Sequence, residues 1–239
     1  MFKYAIWKLN KNLEGIVMDE NMKSVVLNRI NRVAAAIKNN NMEFHYAESK
    51  EEVLTIIGNL LKVGDVVSTG GSVTLKQCGV MDLLKSEKYK YLDRSSVDDD
   101  KIEQIYRASF SADAYICSAN AITEKGELYN VDGMSNRIAA ICYGPKSVIV
   151  VAGYNKIVKD LDEAINRVKR ISAPANTQRL TYATYCYEKG ECLSCLKENS
   201  AMTDGCSSDS RICCNYLVSA HQKIKNRIKV IVVGEVLGY

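Results

Sequence analysis

The sequence predicts an α/β protein with an open, mostly parallel sheet, helices on both faces and a Cys-rich carboxy-terminal lobe. Three observations predict it. Segments of helical period alternate with short apolar or alternating segments through the first three quarters of the chain. KSVIVVAG and RIKVIVVG are apolar enough to be buried strands. Six of the nine cysteines crowd into the last quarter, at Cys186, Cys192, Cys195, Cys206, Cys213 and Cys214.

In order along the chain, residues 22–39 put Val25, Val26, Ile30, Val33 and Ile37 on one helical face, and Asn39, Asn40 and Asn41 close that helix. MEFHYAE alternates like a short strand, and KEEVLTIIGNLL reads as a second amphipathic helix. DVVSTGGS is a strand that ends in a glycine-rich turn, with SVTLKQCGVMDLLKS as the helix opening there. YKYLD is a strand, VDDDKIEQIYRASFS a polar helix, and AYICSA a strand. NAITEKGELYNVDG is a polar, hairpin-like stretch turning at Gly126 and Gly133. Helix NRIAAICYG, strand KSVIVVAG and helix KDLDEAINRVKRIS follow, the last expected to end at Pro174. The chain reads as one domain: a core over 22–174, a Cys-rich insertion or lobe over 175–224, and a final strand within 225–239 that rejoins the sheet.

At 239 residues, with 47% hydrophobic and 25% charged residues, the chain can bury a full core and has globular composition. Its formal charge of +4 is small and no basic run interleaves with aromatics, so nucleic acid is not an expected partner. The longest apolar run, near Val148 to Ala152, is too short to span a bilayer. The start, MFKYAIWKLNKNLEG, lacks the apolar stretch of a signal peptide, which with nine cysteines predicts a reducing cytoplasm. Of the two histidines, His45 and His221, neither is expected in a catalytic pair.

Three groups of residues carry candidate chemistry. Ser68, Gly70, Gly71, Ser72 and Thr74 surround a strand-to-helix turn where glycines admit a ligand to the backbone and hydroxyls add donors for an anion. It is neither a phosphate-binding P-loop nor a dinucleotide fingerprint, so no flavin or nicotinamide is indicated; a tight turn with Ser72 capping the next helix is the plainer reading. The segment from Asn120 to Arg137 collects Glu124, Glu127, Asn130, Asp132, Asn136 and Arg137 in a loop after a strand. Glu124 and Asp132 are its candidate base or nucleophile, and a solvated hairpin is the alternative. Last come the thiols, where Cys186, Cys192 and Cys195 read C-x5-C-x2-C. Thiolates at that spacing can chelate a metal from one turn, with a distant cysteine completing four ligands. The spacing does not distinguish iron–sulfur from zinc.

VVSTGGSVTLKQCGVMDLL, the block from SANAITEKGELYNVDGMSNR through AGYNKIVKDLDEAINRVK, and RIKVIVVGEVLGY together resemble the LUD-domain proteins, the LutC/YkgG-type lactate-utilisation family. The resemblance implies a fold like that of the NagB/RpiA/CoA-transferase superfamily, in which a glycine turn and an acidic loop face one cleft. On that basis Gly70, Gly71 and Ser72 would form the anion-binding turn, with Glu124, Asp132, Asn136 and Arg137 across from it. Family members of this type often end in C-x5-C-x2-C-x6-C with a closing Arg-Ile-Cys. Cys186, Cys192, Arg211, Ile212 and Cys213 fit, while Cys195 is rightly spaced from Cys192 and Cys206 from Cys213, so the third ligand is ambiguous. The chain also carries Val236 where an aspartate would be typical.

The resemblance implies a cytoplasmic accessory or electron-relay component of lactate or other 2-hydroxy-acid oxidation, with iron–sulfur partner subunits and a small anionic metabolite. The alternative is an isomerase or acyl-CoA transferase acting through Glu124 on a phosphorylated or CoA-linked molecule. A zinc that only ties down the Cys-rich segment is a third reading.

Overall fold

The computed structural model describes residues 18–239. The amino-terminal stretch expected to carry no export signal lies outside them. A six-stranded sheet forms the centre: β1 (Glu43–Ala47), β10 (Ile228–Val233), β7 (Ser147–Gly153), β4 (Ala114–Cys117), β2 (Val66–Thr69) and β3 (Lys90–Leu92), in that order across the sheet. Every pairing in it is parallel. The alternation of strand side chains gives the sheet two buried faces. Val148 and Val150 of β7 point into the core under α1 (Glu20–Asn39), beside Ile30, Val33 and Ile37. Their neighbours Ile149 and Val151 point the other way, against Val53 and Ile57 of α2 (Glu52–Leu60).

A second, smaller sheet sits beside the first in the order β8 (Ile157–Val158), β5 (Ala121–Thr123), β6 (Leu128–Asp132) and β9 (Asn215–Ser219). β5 and β6 form the antiparallel hairpin expected from the sequence, but its strands are buried: Ala121, Ile122, Leu128 and Asn130 are fully inaccessible. The charged residues that suggested a solvated stretch are confined to the turn and the strand ends, while Asn130 is buried within β6. β9 arises within the 175–224 segment and pairs with β6, which ties the cysteine-bearing stretch to this sheet. Met202, Cys213 and Tyr216 pack there against Tyr129, Val131 and Val168.

Two helices differ from expectation for backbone reasons. The helix predicted over 72–86 is two, α3 (Val73–Gln77) and α4 (Val80–Leu84), because Gly79 between them adopts a left-handed conformation at φ 70°. Pro174 does not end its helix. α7 (Leu161–Arg167) widens into a π-helical turn, Val168–Ser172, and continues as α8 (Ala173–Leu180) with Pro174 in its first turn. The first turn of a helical segment tolerates proline, and the widened turn before it, closed by Ala173 N donating to Val168 O, makes room for the ring. The remaining helices are α5 (Ile102–Ala108), α6 (Asn136–Cys142) and α9 (Tyr185–Lys189). Among the described residues no helix is long and apolar enough to cross a membrane.

Candidate functional site

In a parallel sheet the carboxyl ends of all strands lie on one edge, and the loops leaving them enclose a crevice. The loops after β2, β4, β7 and β10 do so here. They bound a cavity of about 350 Å³ whose walls include Gly71, Thr74, Ser118, Lys156, Arg179 and Tyr239.

The glycine turn serves two arginines. A side chain at Gly71 would collide with the Arg94 guanidinium, and one at Gly70 would press on the Arg137 stem and the Tyr115 hydroxyl at 3.1 Å. Ser72 caps α3 by accepting a hydrogen bond from Leu75 N at 3.3 Å. Gly71, Ser72 and Thr74 line the cavity, whereas Ser68 turns inward to share a 2.7 Å hydrogen bond with Ser109. Asn120, Asp132, Asn136 and Arg137 also line it.

Arg137 spends its donors on the protein. Its Nε and Nη2 hold Asp132, and its Nη1 and Nη2 reach Ser118 O, Asn130 Oδ1, Asn120 Oδ1 and Val131 O. It stitches the end of β4 to the β5–β6 hairpin. Asp132 is further held by the N–H of Ile138 at 2.9 Å. Glu124 lies outside the cavity, on the hairpin turn, where Arg29 and Arg32 of α1 bind it at 2.7 and 3.4 Å. Burial works against its ionisation, but the hydrogen bond and charge of Arg29, with Arg32, outweigh this and hold the carboxyl below its usual range.

Three cavity cations were not legible in the sequence: Arg94, Lys156 and Arg179. None pairs with a carboxylate side chain among the described residues. Arg94 donates to the Tyr106 hydroxyl, and Arg179 to Asn176 and the Tyr239 hydroxyl. Lys156 is 3% exposed and donates to Thr74 Oγ1 at 2.9 Å and Ser118 Oγ at 3.0 Å. Burial, reinforced by Arg167 and Arg137, pushes its amine down to about 7. The one sequence signal for Lys156 was a lone cation inside the apolar run VIVVAGYNKIV. With Arg137 against Asp132, three arginines and the buried amine of Lys156 face one side-chain carboxylate, an arrangement that fits a small anion.

Against the cavity's far wall lies a smaller one of about 20 Å³, lined by Cys186, Cys192, Cys206 and Cys213. Val168, Ala173 and Cys213 line both cavities. Cys195 is not on the smaller one. Hydroxyls reach two of the sulfurs: Thr184 Oγ1 lies 3.3 Å from Cys186 and Ser194 Oγ donates to Cys192 at 3.3 Å. Burial pushes the Cys213 thiol up. The four soft donors fit a thiolate-bound centre in kind and number. Among the described residues, though, no three are gathered closely enough to hold a metal ion.

A family model described as the LUD domain matches residues 30–233. The chain belongs to the LUD-domain family. The LUD-domain chain also resembles a solved DUF162 family protein from Deinococcus radiodurans, at 15% identity over 87% of this chain and 98% of that one, with a TM-score of 0.50. This likeness concerns the fold. A partial overlap with eIF2B beta from Chaetomium thermophilum covers 48% of this chain and 45% of that one, at 14% identity and a TM-score of 0.34. No curated protein matches.

Proposed function

We propose that this LUD-domain chain binds a small anionic metabolite in the cavity at the sheet edge and serves 2-hydroxy-acid oxidation as an accessory, electron-relay component. Membership of the family supports a role related to lactate utilisation. The observation that carries the reading is the shared wall: a cation-rich cavity and a four-thiol cavity meet at Val168, Ala173 and Cys213. A 2-hydroxy acid offers the carboxylate that Arg94 and Arg179 are free to bind. Cys186, Cys192, Cys206 and Cys213 would hold an iron–sulfur centre, which when bound would supply one-electron transfer beside that metabolite.

The isomerase or acyl-CoA-transferase alternative needs a free carboxylate in the cavity. Asp132 is the only carboxylate side chain lining it among the described residues, and Arg137 and Ile138 N occupy it. Glu124 is engaged elsewhere, so the geometry favours the first reading.

Iron, acid-labile sulfide and zinc measured on protein purified without oxygen test the thiol half. Iron and sulfide together, lost in Cys192→Ser and Cys213→Ser, are expected. Zinc alone would make the segment structural, and the absence of iron and sulfide would end the relay reading. Thermal-shift titration with lactate and pyruvate tests the cavity half. Both should raise Tm, and Arg94→Leu with Arg179→Leu should abolish the effect.

A further inference from the structure

We propose that Lys156 is a nucleophilic lysine that captures the carbonyl group of a small 2-oxo acid as an imine, with Arg94 holding the acid's carboxylate. The inference rests on the cavity taking an anionic metabolite, and it names the class: 2-oxo acids, the products of 2-hydroxy-acid oxidation.

The geometry around the amine carries it. Lys156 enters the cavity from the loop after β7 and is almost wholly buried, close to the cations Arg137 and Arg167 and the neutral thiols Cys117 and Cys78, while Asp132, the one side-chain carboxylate lining the cavity among the described residues, is held by Arg137. Both of its hydrogen bonds go to hydroxyls. Each of those hydroxyls hands its own proton to a main-chain carbonyl, Thr74 to Leu237 O at 3.3 Å and Ser118 to Ala119 O at 3.4 Å. Their oxygens are thereby left to accept from the lysine. A neutral amine has two N–H bonds and one lone pair. Thr74 and Ser118 take the two N–H bonds, and the remaining direction is left for the lone pair. Desolvation and neighbouring cations keep such an amine unprotonated and reactive.

The tail after β10 makes room for the chemistry. Gly238, at φ 56°, passes so close that an added Cβ would lie 3.4 Å from Lys156 Nζ and collide with Thr74 Oγ1. Arg94 sits over Gly71 and Lys156 is fixed on Thr74, so carboxylate binder and amine flank the same short turn.

In the step proposed, the Nζ lone pair attacks the carbonyl carbon and a C–N bond forms. The carbonyl π pair moves to oxygen, which takes a proton from the resulting ammonium. The carbinolamine then loses water: the nitrogen lone pair forms the C=N bond as the C–O bond breaks, and the hydroxyl leaves with the remaining N–H proton; addition of water reverses the sequence. No oxidant or reductant is consumed.

Borohydride trapping tests this directly. The full chain is incubated with pyruvate or glyoxylate at neutral pH, reduced with sodium borohydride, and examined by intact mass and peptide mapping. Thermal shift with the same acids runs in parallel. A single reduced adduct on Lys156 is expected, absent from Lys156→Arg and Lys156→Met. Arg94→Leu should raise the pyruvate concentration needed by roughly tenfold, as loss of one charge-assisted contact predicts. Adducts scattered over surface lysines with the same yield in Lys156→Arg would overturn the proposal. A raised Tm with Lys156 unlabelled would overturn the imine and leave the anion cavity standing. No shift and no label would overturn both.

Discussion

At the scale of single residues, the edge of the sheet is organised around two cations, one largely and one wholly withdrawn from solvent, with opposite solutions to burial. Arg137 is charged and fully satisfied; removing it strands Asp132, whose side chain is only 10% exposed, beside unpaired carbonyls. Breaking a buried pair on one side costs about 3 kcal/mol or more, so Arg137→Met should lower the urea midpoint by that equivalent. A loss below about 1 kcal/mol would show that the pair is not buried in solution. Lys156 instead gives up its charge. Its unfolded amine titrates at 10.5 and its folded one at about 7, so between those values the unfolded chain holds a proton that the folded chain lacks. Stability therefore rises with pH across that window, and the cost is fully present below it, on the order of 5 kcal/mol. Lys156→Met removes the cost. Its stability relative to the parent chain should be greatest, and level, below pH 7 and should shrink as pH rises towards 10. A difference that stays flat with pH would mean that the amine is solvated. Neither residue's role was legible in the sequence as it turned out. The sequence points to Arg137 only as a ligand contact and gives no signal for the role of Lys156, because a lone cation has no period or motif and only the converging strand ends show its neighbours.

Among the elements, those with strong periodicity were the legible ones. α1 falls where Ile30, Val33 and Ile37 put it, and β7 where its apolar run does. What escaped depended on the backbone: the break at Gly79, the π-turn before Pro174, and β8 and β9, which are too short or too polar to announce themselves without β5 and β6 as partners. The hairpin shows how a functional reading can hide a structural one. Its turn docks on the last turns of α1 through Glu124 on Arg29 and Arg32, through Asn40 Nδ2 donating to Lys125 O at 2.9 Å, and through Gly126. An added Cβ at Gly126 would lie 2.7 Å from the backbone of Ala36 and Ile37, and its φ is 78°. Gly64 has a similar φ of 88° with nothing within 4 Å. Gly64→Ala should cost about 1 kcal/mol, from the left-handed backbone alone. Gly126→Ala should cost about 2 kcal/mol or more, because backbone cannot move aside as a side chain can. Equal losses in chemical denaturation would show that the docking is loose.

Over the whole molecule, the two sheets bury cores of different depth, and the nine free cysteines report on both. Cys117 on β4 and Cys78 after α3 belong to the two clusters that sandwich the large sheet. Cys186, Cys192 and Cys206 line a cavity under the small sheet, whose strands are two to five residues long and whose outer element, β9, is held by one neighbouring strand. Local opening draws on the least buried contacts first. The stretch between α9 and β9 is pinned chiefly by Arg211, which donates to Thr203 O, Cys206 O and Cys213 O, and by Lys169 on Ala201 O. The thiols of that stretch should therefore react with a maleimide pulse at lower urea than Cys117 and Cys78, when sites are assigned by peptide mapping. Arg211→Ala should move their labelling to still lower urea and leave that of Cys117 unchanged. If Cys192 and Cys206 instead labelled at the same midpoint as Cys117 and Cys78, the small sheet would unfold with the large one, and the wall shared by the two cavities would be as rigid as the central sheet. Early labelling has a consequence for function. It would make that wall the part of the molecule able to respond when either cavity is filled, since a segment held by a few main-chain carbonyls can be ordered by a bound ligand.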